Sequence, residues 1–188
     1  MPSFYEGEAV AVLEQTVGEE EYADAYYAAQ SSASLWNRRE IRAALCVTLA
    51  VVCASAIPVY RTRFSTLFGP VGGILLFLAL AAVFFFVQPG VMINQAKRSY
   101  SSNRLLALPQ KVSIYRDSIV VESEREKFTE YWTDFSRCLE TKTAFVLIGG
   151  RERALMTVQK EGLDEKLQEQ LSGHFSGAFA SRYQKIGR

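Results

Sequence analysis

Two long stretches of this chain carry no charged residue, Ala43 to Tyr60 and Phe64 to Ala96. Few architectures accommodate both within 188 residues. The first, AALCVTLAVVCASAIPVY, reaches roughly 27 Å at a helical rise of ~1.5 Å per residue. That is just under the hydrocarbon core of a bilayer, about 30 Å. Arg42 and Arg61 flank it and extend its reach by snorkelling. Within the second, LFGPVGGILLFLALAAVFFFV (Leu67–Val87) has no strongly polar side chain. A surface helix of that length shows a polar face, and so small a protein buries two apolar helices poorly. The sequence therefore predicts a two-helix transmembrane hairpin, residues 43–88, with spans at 43–60 and 67–87.

Small residues let helices approach closely in lipid. Gly69 and Gly73 on one helix and Ala50 and Ala54 on the other supply such faces, for packing within the hairpin or for a homodimer. Orientation follows the basic flanks. The short loop holds Arg61 and Arg63, whereas the outer flanks hold Arg38, Arg39, Arg42, Lys97, Arg98 and Arg104. This bias predicts a multi-pass membrane protein with both termini cytoplasmic.

Charge is distributed unevenly. The stretch 43–110 has no acid, and the remainder is mixed, with a net charge of +1 overall. No clustered basic face points to nucleic acid. The three cysteines, Cys46, Cys53 and Cys138, read as reduced, buried thiols rather than a disulfide framework. With one histidine, His174, no metal set is expected. The first 35 residues are acidic and weakly apolar, so no cleavable signal peptide is expected.

Around the hairpin, residues 1–42 predict a strand near Val10–Leu13 and then an amphipathic helix. Thr16-x-x-Glu19 has capping-box spacing, and Tyr22, Tyr26, Ala29, Ala33 and Trp36 form a stripe. Gln88-Pro89-Gly90 predicts a break or kink. Residues 89–110 then read as a basic helical stem. Arg38, Arg39, Lys97, Arg98 and Arg104 are the candidate lipid-headgroup contacts. From Lys111 the apolar period changes to two, giving about six short strands to Val158 in an antiparallel barrel or sandwich. Leu163, Leu167, Leu171, Phe175, Ala178 and Phe179 line one side of a closing helix capped near Asp164.

The stretches VSIYRDSIVVESE (Val112–Glu124), YWTDFSRCLETKTAFVLI (Tyr131–Ile148) and TVGEEEYADAYY (Thr16–Tyr27), in this order of parts, resemble the YcxB-like family of bacterial membrane proteins. That family pairs a two-span hairpin with a C-terminal domain of pleckstrin-homology-like shape. The chain departs from it after the last strand, where Gln159-Lys160 stands in place of a Pro-Lys-like pair. The resemblance implies an α+β membrane protein of a bacterial inner membrane. Its hairpin is inserted between an N-terminal strand and helix and a small antiparallel barrel, residues 111–188, plugged by a helix over Asp164–Tyr183. It implies that the Val10–Leu13 strand joins the same sheet, that Trp132 and Phe135 anchor the core, and that Asp134 caps the turn.

No enzyme signal stands out. The carboxylates from Asp117 to Asp134 are interleaved with Arg and Lys, as on a solvated sheet face. His174 has no Cys or Asp near it in sequence, and Gly149-Gly150 lacks the lysine of a phosphate loop. No catalytic residue, cofactor or metal is expected. The expected function is a non-catalytic interaction module at the cytoplasmic face of the bilayer, binding a protein partner or the membrane surface. A concave patch of Lys111, Arg125 and Lys127 favours lipid, weakened by Glu124 and Glu126. The alternative is a transporter accessory or immunity-type protein acting through its spans.

Overall fold

The computed structural model describes residues 7–32, positions 41, 43, 44, 47, 48 and 51, and residues 68–186. The chain divides into two compact units, one made of Met1–Ala29 with Gln95–Arg188, the other of Gln30–Asn94.

In the first unit, period-two patterning produces strands. β1 (Ala11–Gln15) alternates buried and exposed residues along its whole length. It pairs antiparallel with β2 (Gln110–Ile114), with Ala11 opposite Ile114 and Gln15 opposite Gln110. β3 (Ser118–Glu122) and β4 (Lys127–Tyr131) continue that sheet in the order β1-β2-β3-β4. The strand expected near Val10–Leu13 thus joins the sheet of the C-terminal region across a long separation in sequence.

A second four-stranded sheet holds β5 (Arg137–Glu140), β6 (Ala144–Ile148), β7 (Leu155–Gln159) and β8 (Tyr183–Lys185), in the order β7-β6-β5-β8. Here β5 and β8 run parallel. The single antiparallel barrel expected from the sequence is therefore corrected to two sheets, one of them mixed. Side chains join their edges. The Gln15 amide donates to Thr157 O at 2.7 Å and accepts from Gln159 N at 2.9 Å. It thus bonds β7 as a neighbouring peptide group would.

Three long helices are found among the described residues: α1 (Glu19–Ser32), α2 (Phe68–Ser102) and α3 (Glu165–Phe179). The N-terminus of α1 is closed by Glu21, whose carboxylate accepts from Gly18 N at 2.7 Å, so the capping acid is Glu21 and not Glu19. Ala25 of α1 packs with Leu139 and Val146 on one face of the second sheet. Tyr22 meets Tyr100, with ring centroids 5.8 Å apart, and Tyr100 Oη donates to Val17 O at 2.7 Å. Ala33 and Trp36 of the expected stripe lie outside the described residues. In α3, Leu167, Leu171, Phe175 and Phe179 recur every four residues along the core-facing side. Asp164 caps its start, accepting from Leu167 N at 2.9 Å.

The core lies between the first sheet, β5–β7 and α3. Trp132 and Phe135 are both buried there. Trp132 meets Phe175 edge-on at 5.5 Å, and its indole N–H donates to Arg116 O at 3.0 Å, which satisfies the polar end of a buried ring. Asp134 accepts from Tyr131 N at 3.1 Å and so closes the turn after β4.

The membrane architecture is not carried by this structure. Among the described residues, no helix is long and apolar enough to cross a membrane. That finding overturns the transmembrane hairpin, the membrane fold class, and the multi-pass inner-membrane location drawn from it. The first expected span, 43–60, lies almost wholly outside the described residues, as do Ala50 and Ala54. The second falls on α2, which passes through Gly69, Gly73, Gln88 and Pro89 and continues to Ser102. This helix runs without interruption into Asn94, Gln95, Lys97 and Arg98. Of the expected break or kink at Gln88–Gly90, no break occurs, Pro89 lying inside the helix, and the basic stem is the second half of the same helix, followed by a 3₁₀ turn at Arg104–Ala107. In the second unit, Leu78 of α2 is buried, while Ile74, Phe77, Val83 and Val87 are exposed.

Candidate functional site: the slot between β5 and α3

β5 reads Arg-Cys-Leu-Glu, and its alternation sends Cys138 and Glu140 to one face and Leu139 to the other. Leu139 meets α1, and Cys138 enters the main core. Glu140 faces α3. On one side β5 is bonded to β6, with Arg137 opposite Ile148. On the other it is bonded to β8, with Cys138 opposite Tyr183 and Glu140 opposite Lys185. β8 therefore occupies a slot whose floor is the β5 edge and whose wall is α3.

A buried carboxylate requires partners, and Glu140 has four. Its Oε1 accepts from Lys160 Nζ at 2.7 Å and from Lys185 Nζ at 3.1 Å. Its Oε2 accepts from Ser172 Oγ at 2.8 Å and from the Tyr183 hydroxyl. Ser172 Oγ and Tyr183 Oη are also 3.0 Å apart. Lys160 donates further to Thr141 O at 2.8 Å and lies 4.5 Å from the centre of the Phe145 ring. Burial alone raises the pKa of Glu140. The bonds from Lys160, Tyr183, Ser172 and Lys185 outweigh it and hold the acid at about 2. Burial, then the bond to Glu140, pushes the Tyr183 phenol up to about 12. Burial, then the charge of Glu140, pushes the Cys138 thiol up to about 12.

These shifts bear on the chemistry open to the cluster. General acid–base work at neutral pH needs groups that titrate near it. Here the acid is a weak base, the phenol stays protonated, and the thiol is buried and not a thiolate. The same charges suit a clasp, since hydrogen bonds to ionised groups are the stronger class. His174 is held elsewhere. Its Nε2 lies 3.1 Å from Tyr115 O, its ring meets Trp132 edge-on, and burial lowers its pKa. Among the described residues, no group of three or more His, Cys, Asp or Glu is arranged to hold a metal ion.

The residues singled out from the sequence do not converge on this slot. Arg38 and Arg39 lie outside the described residues. Lys97 is paired with Glu20 at 2.6 Å, and that pairing raises its pKa. Arg98 and Arg104 are exposed. Lys111 and Lys127 flank Glu122 across β2, β3 and β4, with Lys127 Nζ 3.1 Å from its carboxylate. The acid within the Lys111–Arg125–Lys127 patch weakens it as an anion site. Conversely, Glu140, Lys160, Ser172, Tyr183 and Lys185 were not anticipated. One signal was available: Glu140 shares strand parity with Cys138, which places a carboxylate on a core-facing row. No family model, no curated protein and no solved structure matches the chain.

Proposed function

We propose that the unit containing both sheets is a non-catalytic interaction module that takes a protein partner as an added strand at the edge of β5. We propose also that residues 111–188 are similar to the corresponding part of the YcxB-like family, on the strength of the Val112–Glu124 and Tyr131–Ile148 stretches. The observation that carries the reading is the short parallel pairing of β8 with β5, held by side chains that meet on Glu140. Strand addition draws affinity from main-chain bonds and specificity from alternate side chains. The slot supplies both. The titration behaviour of Glu140, Tyr183 and Cys138 favours holding over catalysis.

A displayed library of extended peptides, selected on the full chain, tests this. Hydrogen exchange on the selected complexes should show altered protection at Cys138–Glu140 and at Tyr183–Lys185. Selected peptides that instead protect the first sheet, with β5 and β8 unchanged, would refute the assignment.

A further inference from the structure

The following rests on the reading of the β5 edge as the partner site. We infer that the slot recognises an extended segment with tyrosine and lysine two residues apart, running parallel to β5, and that β8 is a built-in competitor for that segment.

The chemistry of the occupant specifies the partner. Tyr183 and Lys185 reach the two oxygens of one carboxylate; Gln184 between them is exposed, as is 69% of the Lys185 side chain. The receiving groups belong to other elements: Glu140 to β5, Ser172 to α3, and Lys160 to the residue after β7. The Glu140 and Lys160 side chains are only 6% and 10% exposed, so the site is built into the fold rather than laid on its surface. A segment bearing the same two side chains in the same register satisfies the same groups.

The present occupant is short, with Tyr183 packed against the core and Arg182 before it donating to Phe135 O at 2.6 Å. Three residues of β8 pair with β5, followed by Ile186 N donating to Glu140 O at 2.8 Å. Parallel pairing is the weaker kind per residue. The segment also enters through a strained hinge. Ala180, between α3 and β8, has φ 47° and ψ −115°, a conformation suited to glycine. Releasing β8 lets Ala180 return to an ordinary conformation. Short hinges under strain invite exchange of the segment they carry.

The test uses the full chain and a fluorescent synthetic hexapeptide of Ser181–Ile186, read by anisotropy and by exchange protection of β5. Ala180→Gly relieves the hinge without touching β8 or the slot, and should weaken probe binding about tenfold or more. Tyr183→Phe in the chain removes one bond from the competitor, and should strengthen probe binding about tenfold. Replacing the tyrosine of the probe should abolish binding, and replacing the lysine, which pairs from an exposed position, should weaken it a few-fold. Equal binding to all three chains, with β5 protected, overturns the competition and leaves the partner site standing. Absence of binding even to the Tyr183→Phe chain overturns both. A doubled mass in light scattering with no probe binding assigns the slot to a second copy and overturns the proposed partner class.

Discussion

Glu130 and Gly150 show how closely single residues are fitted in this fold. Glu130 is fully buried, and its Oε1 accepts from Glu152 N at 2.5 Å and Arg153 N at 2.9 Å, which fixes the loop between β6 and β7. Gly150 lies directly against that carboxylate. A Cβ there would stand 2.5 Å from Arg153 O and 2.7 Å from Phe135 Cε1, and would press on Glu130 as well. Gly150→Ala is expected to destabilise by about 1–3 kcal/mol, read as a lower denaturation midpoint with an unchanged slope. A midpoint equal to that of the parent chain would show that the loop yields freely. Glu140 and Tyr183 make stability depend on pH at both ends. The Glu140 pKa falls from 4.5 to about 2 on folding, so its contribution is complete above about 4.5 and is lost as pH falls toward about 2. The Tyr183 pKa rises from 10.0 to about 12, so its contribution is complete below about 10 and is lost as pH rises toward about 12. Melting curves across that range should narrow at both limits, and Glu140→Gln should flatten the acid limb. An acid limb unchanged in the variant would place the dependence on other carboxylates.

At the scale of elements, Gln15 ties β1 to β7 along their seam, beside a bond from Gln159 Nε2 to Thr16 O at 3.2 Å. Gln15→Ala removes the acceptor for Gln159 N and the donor to Thr157 O, both in a buried edge. The expected cost is about 1–3 kcal/mol, with faster amide exchange at Gln159. If exchange at Gln159 is unaltered, the seam is held elsewhere. Strand periodicity made β2 to β7 legible, because alternating apolar residues have one core to face. α3 was legible for the same reason at a period of about four, together with the Asp164 cap. β8 was not legible. Tyr183 follows Phe179 by four residues and so prolongs the helical stripe, and neither glycine nor proline marks the end of α3. The termination is made by Ala180 at a positive φ, which no residue preference signals.

At the scale of the whole molecule, β1 must be supplied from far upstream. A chain beginning at Lys111 exposes the paired edge of β2 and strips β7 of Gln15. Such a fragment should melt at a lower temperature than the full chain, and a synthetic Gly7–Val17 peptide added in trans should raise its melting point in a concentration-dependent way. No response to the peptide would mean that β1 contributes little. A strand-like apolar stretch at β1 was legible in the residues, and its long-range pairing was implied only by the resemblance, whereas the membrane reading did not survive. Apolar runs report what a helix avoids, but not where a helix stops. α2 carries its apolar run onward into residues that pack on α1, with Ala96 fully buried and Lys97 bound to Glu20.

The register of that first sheet has a temporal consequence. Gln15 and its partner Gln110 are 95 positions apart. At a ribosomal pace of about 5–20 residues per second, β1 emerges roughly 5–20 seconds before the strand it bonds. Throughout that interval an alternating, half-apolar segment waits with its ladder open. The cell must shield it, or the sequence must keep it from pairing wrongly. Glu14, facing outward at the end of β1, is the sort of charge that discourages such misassembly.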